Sequence, residues 1–113
     1  MAEYRRHDAL VFTSTYEGFG MVVIEAMSQR LPVVATPAGC AATLVRDGET
    51  GYAVPARDAA ALAAAIRRVL ADPAAASKIA CQARAAVARM TWRATAERTL
   101  HVYDRAMAEV KRR

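Results

Sequence analysis

The sequence predicts an α/β fold: about three parallel strands with flanking helices, followed by a helical C-terminal third. Three observations carry that prediction. Leu10-Val11-Phe12-Thr13 is a short apolar run, followed by the turn Glu17-Gly18-Phe19-Gly20 and an apolar stretch from Met21 to Met27; strand, glycine-rich turn and helix make half of a βαβ unit. Leu31-Pro32-Val33-Val34-Ala35 is nearly continuous in apolar and β-branched residues, as parallel strands buried on both faces are. From Asp58 onward, alanine-rich stretches broken at Asp72-Pro73 and Thr91 read as three helices of high intrinsic propensity.

Taken in order, the first strand is expected over residues 8–13 and the first helix over 20–29. That helix is apolar on nearly every side apart from Glu25, so burial over most of its surface is expected. The second strand covers 31–35, and Thr36-Pro37-Ala38-Gly39 is a loop at its carboxyl end. A short helix over 41–45 follows, then the turn chemistry of Arg46-Asp47-Gly48-Glu49-Thr50-Gly51. Tyr52-Ala53-Val54 is a short third strand ended by Pro55. Asp58 is placed to cap the next helix, with Leu62, Ile66, Val69 and Leu70 on its inner face. Pro73 opens a further helix at a position that suits proline, with Ile79, Ala83, Ala86, Val87 and Met90 as a thin apolar stripe. Thr91 caps the last helix, where Ala96, Leu100, Tyr103, Met107 and Val110 recur at spacings of 4, 3, 4 and 3. The basic tail Lys111-Arg112-Arg113 suits a helix C-terminus.

Length and composition bound the class. A chain of 113 residues with 55% hydrophobic content allows one small domain. No apolar run approaches the roughly 20 residues of a membrane span, and Asp8 interrupts any signal-like core at the start. The two cysteines, Cys40 and Cys81, suggest neither a disulfide framework nor a paired metal site; two buried, reduced thiols in the cytoplasm are expected. A net charge of +5 admits acidic partners, but no basic run is interleaved with aromatics, so a nucleic-acid partner is not expected. Weak contact with an anionic membrane surface, or a solvated basic face, fits the charge better.

The candidate site is the turn and the helix after it. Ligands of open α/β sheets bind at the carboxyl ends of the strands, where helix N-termini present backbone N–H groups. Gly18 and Gly20 leave the backbone free to approach a ligand. Glu17 lies on the turn and Glu25 is 25 − 17 = 8 positions later, more than a helical turn deeper. A carboxylate on so apolar a helix needs a polar recipient. On spacing alone two readings stand: a pair of ligand acceptors, or a solvated loop acid with Glu25 bonded to a neighbouring backbone group or arginine. Tyr16 is the one aromatic near the mouth. His7 and His101 have no sequence partner for chemistry, and Trp92 and Tyr103 read as packing anchors.

These residues resemble a known family. Ser14-x-x-Glu17-Gly18-Phe19-Gly20, then Glu25-Ala26-Met27 and Pro32-Val33-Val34-Ala35-Thr36, is similar to the E-x7-E signature of retaining glycosyltransferases with the GT-B fold, family 4, the "group 1" glycosyltransferases. The likeness extends through Tyr4-Arg5-x-x-Asp8-Ala9, Gly39, Asp47-Gly48-x-Thr50-Gly51-Tyr52, Asp58-x-x-Ala61-Leu62-Ala63, Asp72-Pro73 and Thr91-Trp92, essentially the whole chain. It implies that residues 1–113 are a partial Rossmann-like unit, half of the C-terminal, nucleotide-sugar-binding domain of such an enzyme. The N-terminal domain and the first strands are absent, so the first strand has an uncovered edge and the last helix lacks the partner it crosses back to.

The resemblance also implies the chemistry. Glu17 contacts the donor-sugar hydroxyls and is the catalytic candidate. Gly18, Phe19, Gly20 and Met21 face the donor sugar and its pyrophosphate, and Glu25 accepts hydrogen bonds from the nucleotide ribose. The reaction moves a sugar from a UDP-, GDP- or ADP-sugar to an acceptor hydroxyl on a glycan, lipid or small molecule, with retention and without a metal or other cofactor. Polysaccharide or glycolipid biosynthesis, in the cytoplasm or peripherally at the inner membrane face, is the setting expected. A non-enzymatic interaction or self-associating module derived from such a domain is the alternative. The chain departs from the family at three places: Arg30 stands where glycine usually ends the first helix, Gly39-Cys40 replaces Gly-Gly, and Thr43 takes the place of a glutamate.

Overall fold

The computed structural model describes residues 2–112. Three parallel strands, β1 (Leu10–Phe12), β2 (Val33–Ala35) and β3 (Tyr52–Ala53), form one sheet in the order β1-β2-β3. Leu10 pairs with Val33 and Phe12 with Ala35, while Val34 pairs with Tyr52. The helices are α1 (Met21–Ser28), α2 (Ala41–Leu44), α3 (Ala59–Ala71), α4 (Pro73–Val87) and α5 (Trp92–Val110), and a 3₁₀ turn, Glu3–Arg6, precedes β1. The predicted α/β class, strand count and helical C-terminal third are all present.

β2 is buried at every position, and its pleat divides the core. Val33 and Ala35 face a cluster with Phe12, Val23, Ala26, Met27, Ala83 and Val87, built on α1 and α4. Val34 faces the other way, joining Tyr52, Val54, Ala65, Val69 and Ile79 from α3 and α4. Helices on both faces of a parallel sheet bury its apolar central strand.

The elements are shorter than the sequence predicts, for identifiable reasons. Leu31 is consumed by the end of α1, whereas the Pro32 carbonyl already accepts Leu10 N–H at 2.8 Å. Leu31 N–H donates to Ala26 carbonyl at 3.0 Å and Arg30 N–H to Met27 carbonyl at 3.1 Å, a Schellman ending with Arg30 left-handed at φ 60°. Gly20 and Gln29 are the caps of α1 rather than its ends. The caps expected at Asp58 and Thr91 are made, their side chains accepting the N–H groups of Ala61 and Ala94 at 2.8 and 3.1 Å, and the structure adds a third at Asp72, which accepts Ala75 N–H at 2.9 Å.

Several packing expectations need correction. α1 is buried along Val23, Ala26 and Met27, but Met21 is exposed and Val22, Ile24 and Glu25 are half-buried. Leu70 is exposed because Ala65, not Leu70, completes the inner face of α3. On α4 the stripe runs through Ala76, Ile79, Ala80, Ala83 and Val87, leaving Ala86 and Met90 outside. Cys40 is buried but Cys81 is exposed on α4; both are free thiols. No residue of α5 is buried, and Trp92 and Tyr103, expected as anchors, are 87% and 63% exposed. α5 projects from the body, stretching the molecule to 61 Å against 28 and 22 Å across and giving a radius of gyration of 17.2 Å. A compact domain of this length has about 13 Å. Among the described residues no helix is long and apolar enough to cross a membrane.

Candidate functional site

Two loops leave the carboxyl ends of β1 and β2 side by side. Three hydrogen bonds lock them together. Buried Thr36 donates its hydroxyl to Ser14 carbonyl at 2.6 Å. Cys40 N–H donates to Phe19 carbonyl at 2.6 Å, and its thiol reaches Gly20 carbonyl at 3.3 Å. Gly39 makes the approach feasible. Its φ is +54°, and a Cβ there would stand 2.5 Å from Phe19 carbonyl oxygen and 2.9 Å from Glu17 Cγ. Gly20, at φ +86°, turns the chain into α1 with a Cβ position 3.3 Å from Glu17 Cγ. Gly18 has open space and an ordinary backbone angle, so packing among the described residues places no demand on it.

The locked turn leaves a row of backbone donors unpaired among the described residues. Among the described residues, the backbone N–H groups of residues 18–22 reach no acceptor; the first to do so is Val23, which donates to Gly20 carbonyl at 3.0 Å. Unsatisfied N–H groups and the positive end of the helix dipole make such a terminus receptive to anions. Glu17 is half-buried beside it, with no hydrogen-bond partner for its carboxylate among the described residues. Burial pushes the Cys40 thiol up, its own backbone N–H offsets part of the rise, and the Glu17 charge adds to it.

Glu25 is occupied. Tyr4 donates its hydroxyl to Glu25 Oε2 at 2.6 Å, a partner that neither spacing reading anticipated. That bond, then burial, then the Glu25 charge push the phenol up to about 12. Tyr4, Thr36 and Cys40 were not among the residues the sequence marks for function. Tyr4 and Thr36 lie within segments of family likeness and Cys40 at a departure from it, and no shorter-range signal distinguishes any of the three.

The Asp47-to-Tyr52 turn is structural. Thr50 is buried, donates to Leu44 carbonyl at 2.5 Å and accepts Arg46 N–H at 2.9 Å. Arg68 on α3 pairs with Asp47 at 3.2 Å and lies 5.0 Å above the Tyr52 ring, which fixes the start of β3.

The cavities do not centre on the carboxylates. One of about 280 Å³ lies beyond the strand ends, with Thr13, Thr15, Thr36, Arg57 and Asp58 in its wall. A second, about 560 Å³, joins Phe19, Met21 and Ile24 to Met90, Trp92 and Arg98. Another, about 760 Å³, follows the bend between α4 and α5 and includes His101. Tyr16 is 91% exposed and lines none of these. The site is therefore an open shelf, with one wall formed by the two loops and α1.

Comparison with known proteins points the same way. Residues 1–86 match the family model described as Glycosyl transferases group 1. The chain is 43% identical over 107 residues to a glycogen synthase of Mycobacterium tuberculosis, covering 91% of this chain and 25% of that protein. Among solved structures, sucrose-phosphate synthase from Thermosynechococcus elongatus superposes with a TM-score of 0.85 at 41% identity, over 95% of this chain and 27% of that one. Anabaena Alr3699/HepE, solved in complex with UDP, gives 0.83 at 31% identity over 90% of this chain and 29% of that one. The same Anabaena protein has also been solved in complex with UDP-glucose. The chain spans about a quarter of the length of the curated relatives it matches.

Proposed function

The chain belongs to the glycosyl transferases group 1 family, and from that premise we propose that it supplies the donor half of a retaining, family 4 sugar transfer. In this reading residues 1–113 are part of the C-terminal nucleotide-sugar-binding domain of a GT-B enzyme, with the acceptor held largely by an N-terminal domain. The observation that carries the reading is the free row of N–H groups at residues 18–22, bracketed in the chain by two half-buried carboxylates, Glu17 and Glu25.

Each part has a chemical task. When the bond between the anomeric carbon and the diphosphate breaks, negative charge grows on the departing oxygen. Unpaired N–H groups at residues 18–21, held by the locked turn, stabilise it. Glu25 accepts the ribose hydroxyls, and Glu17 accepts donor-sugar hydroxyls close to the reacting carbon, each carboxylate serving only as acceptor. A UDP-, GDP- or ADP-sugar is the co-substrate, no metal or other cofactor takes part, and the acceptor is a hydroxyl of a glycan, lipid or small molecule. A role in polysaccharide or glycolipid biosynthesis, in the cytoplasm or at the inner membrane face, follows from the same reading.

An amide-resolved NMR titration of the chain with UDP, GDP, ADP and their sugar conjugates tests it. Shifts clustered over residues 18–25, lost in Glu25→Ala, are expected. Shifts that persist in Glu25→Ala remove that residue from the site. A second reading, a non-enzymatic self-associating module, is favoured by the bare apolar face of α5. Sedimentation showing a monomer overturns that second reading.

A further inference from the structure

Glu25 does not stand free on α1. The 3₁₀ turn Glu3–Arg6 carries Tyr4 across to it, and the phenol donates to Oε2 at 2.6 Å. The turn is fastened a second time, one residue on, where Arg5 Nε donates to Gln29 Oε1 at 3.1 Å. The Tyr4 side chain is half-buried and packs on the core cluster that holds Met27 and Val87. The hydroxyl is therefore delivered by a ring with an apolar seat of its own rather than by a mobile surface side chain.

The bond has a directional consequence. Glutamate on a helix samples several rotamers, and fixing one on binding costs affinity. A short O–H···O⁻ bond is among the stronger hydrogen bonds available to a carboxylate, and it selects one rotamer before any ligand arrives. It uses one of about four lone-pair sites. Oε1 has no partner among the described residues, so an acceptor oxygen is left for a ligand. The phenol keeps its proton because Glu25 itself raises its pKa, so the donor persists wherever the carboxylate is ionised below that value.

Resting on the reading of Glu25 as the ribose acceptor, the geometry points to Tyr4 as a positioning residue that holds the Glu25 carboxylate in its diol-accepting orientation. Tyr4 does not touch the nucleotide. It acts through Glu25 by removing rotamers that cannot receive the two hydroxyls. The competing arrangement, in which the ribose must displace Tyr4, has the opposite sign.

The test is nucleotide affinity of the 113-residue chain by titration calorimetry, using whichever of UDP, GDP and ADP the wild type binds. Tyr4→Phe keeps the ring and its apolar seat and removes the donor. It is expected to weaken binding by roughly 3- to 10-fold, the cost of ordering one side chain. The loss is expected to vanish for the matching 2′,3′-dideoxynucleotide. Equal or tighter binding by Tyr4→Phe overturns the positioning role, as does an equal loss for the dideoxynucleotide, which marks a merely structural effect. A wild type that binds none of the three overturns the reading of the site, and the role of Tyr4 with it. Binding that is intact but indifferent to Tyr4→Phe overturns the role of Tyr4 alone.

Discussion

Gly39 and Phe19 are joined so closely that no side chain fits between them. A Cβ on Gly39 would lie 2.5 Å from the Phe19 carbonyl oxygen and 2.8 Å from its carbon. Both obstacles are backbone, so neither can swing aside. Gly39→Ala therefore forces the two loops apart and also strains a residue at φ +54°. A loss of more than about 2 kcal/mol in unfolding free energy is expected, read by urea denaturation. Amide shifts confined to residues 14–20 and 36–41 in the surviving folded state would identify the loop pair as the seat of the damage. Gly18→Ala, with nothing within 4 Å of the added carbon, is expected to leave stability nearly unchanged.

Arg30 breaks a local rule at the end of α1. It sits at φ 60°, where the Schellman ending calls for glycine, and an L-residue in this conformation costs about 1–2 kcal/mol. Part of that strain is offset by the smaller unfolded-state entropy of arginine. Arg30→Gly is expected to stabilise the chain by roughly 0.5–1 kcal/mol, seen as a higher urea midpoint with an unchanged slope. Arg30→Ala, which keeps the strain, is the control and is expected to be neutral.

What the sequence makes legible here is what short-range chemistry writes. The caps Asp58 and Thr91, the helix break at Asp72-Pro73 and the buried β2 follow from residue types at fixed offsets, and all are found. The Tyr4–Glu25 bond spans 21 positions and the Thr36–Ser14 bond spans 22. No periodicity within one element encodes either of them. The same limit explains α5: its 4-3 spacing is real, but an amphipathic pattern states that a face is apolar without stating what covers it. Cys81 fails for a similar reason, since cysteine's general preference for burial says nothing of which side of α4 faces out.

The Tyr4 phenol also writes a pH dependence into stability. Its pKa rises on folding from 10.0 to about 12, chiefly through the bond to Glu25. The folded state then holds a proton that the unfolded state has begun to release, so the unfolded chain binds fewer protons between these values. The contribution is complete below about pH 10 and is lost as pH climbs through about 12. Tyr52 shifts upward too, by burial, with the Arg68 charge opposing it, so it adds a second slope of the same sign. Urea midpoints at about pH 9 and about pH 11 are expected to differ less in Tyr4→Phe than in the wild type. ¹³Cζ-tyrosine NMR should show the Tyr4 titration falling toward its ordinary value in Glu25→Gln.

α5 should behave as a helix that stability hardly notices. None of its residues is buried, and Leu100, Tyr103 and Met107 are each about 60% exposed. The one ion pair of α5 among the described residues, Arg93 with Glu97 at 3.0 Å, is solvated. The arginine also precedes the glutamate, which is the less favourable order for a pair worth about 0.3 kcal/mol. Most helical stability in proteins comes from tertiary packing of an amphipathic face, and the apolar face of α5 has no such burial. Leu100→Ala and Met107→Ala are therefore expected to change unfolding free energy by less than about 0.5 kcal/mol, whereas Met27→Ala, at a fully buried core position, should cost roughly 2–5 kcal/mol. Hydrogen exchange supplies the independent check: amides across α5 should exchange orders of magnitude faster than those of α1, because opening α5 breaks no core contact. Slow exchange throughout α5, or a large loss from Leu100→Ala, would mean that the apolar face is covered in solution. Concentration dependence of that protection would then identify a second copy of the chain as the cover.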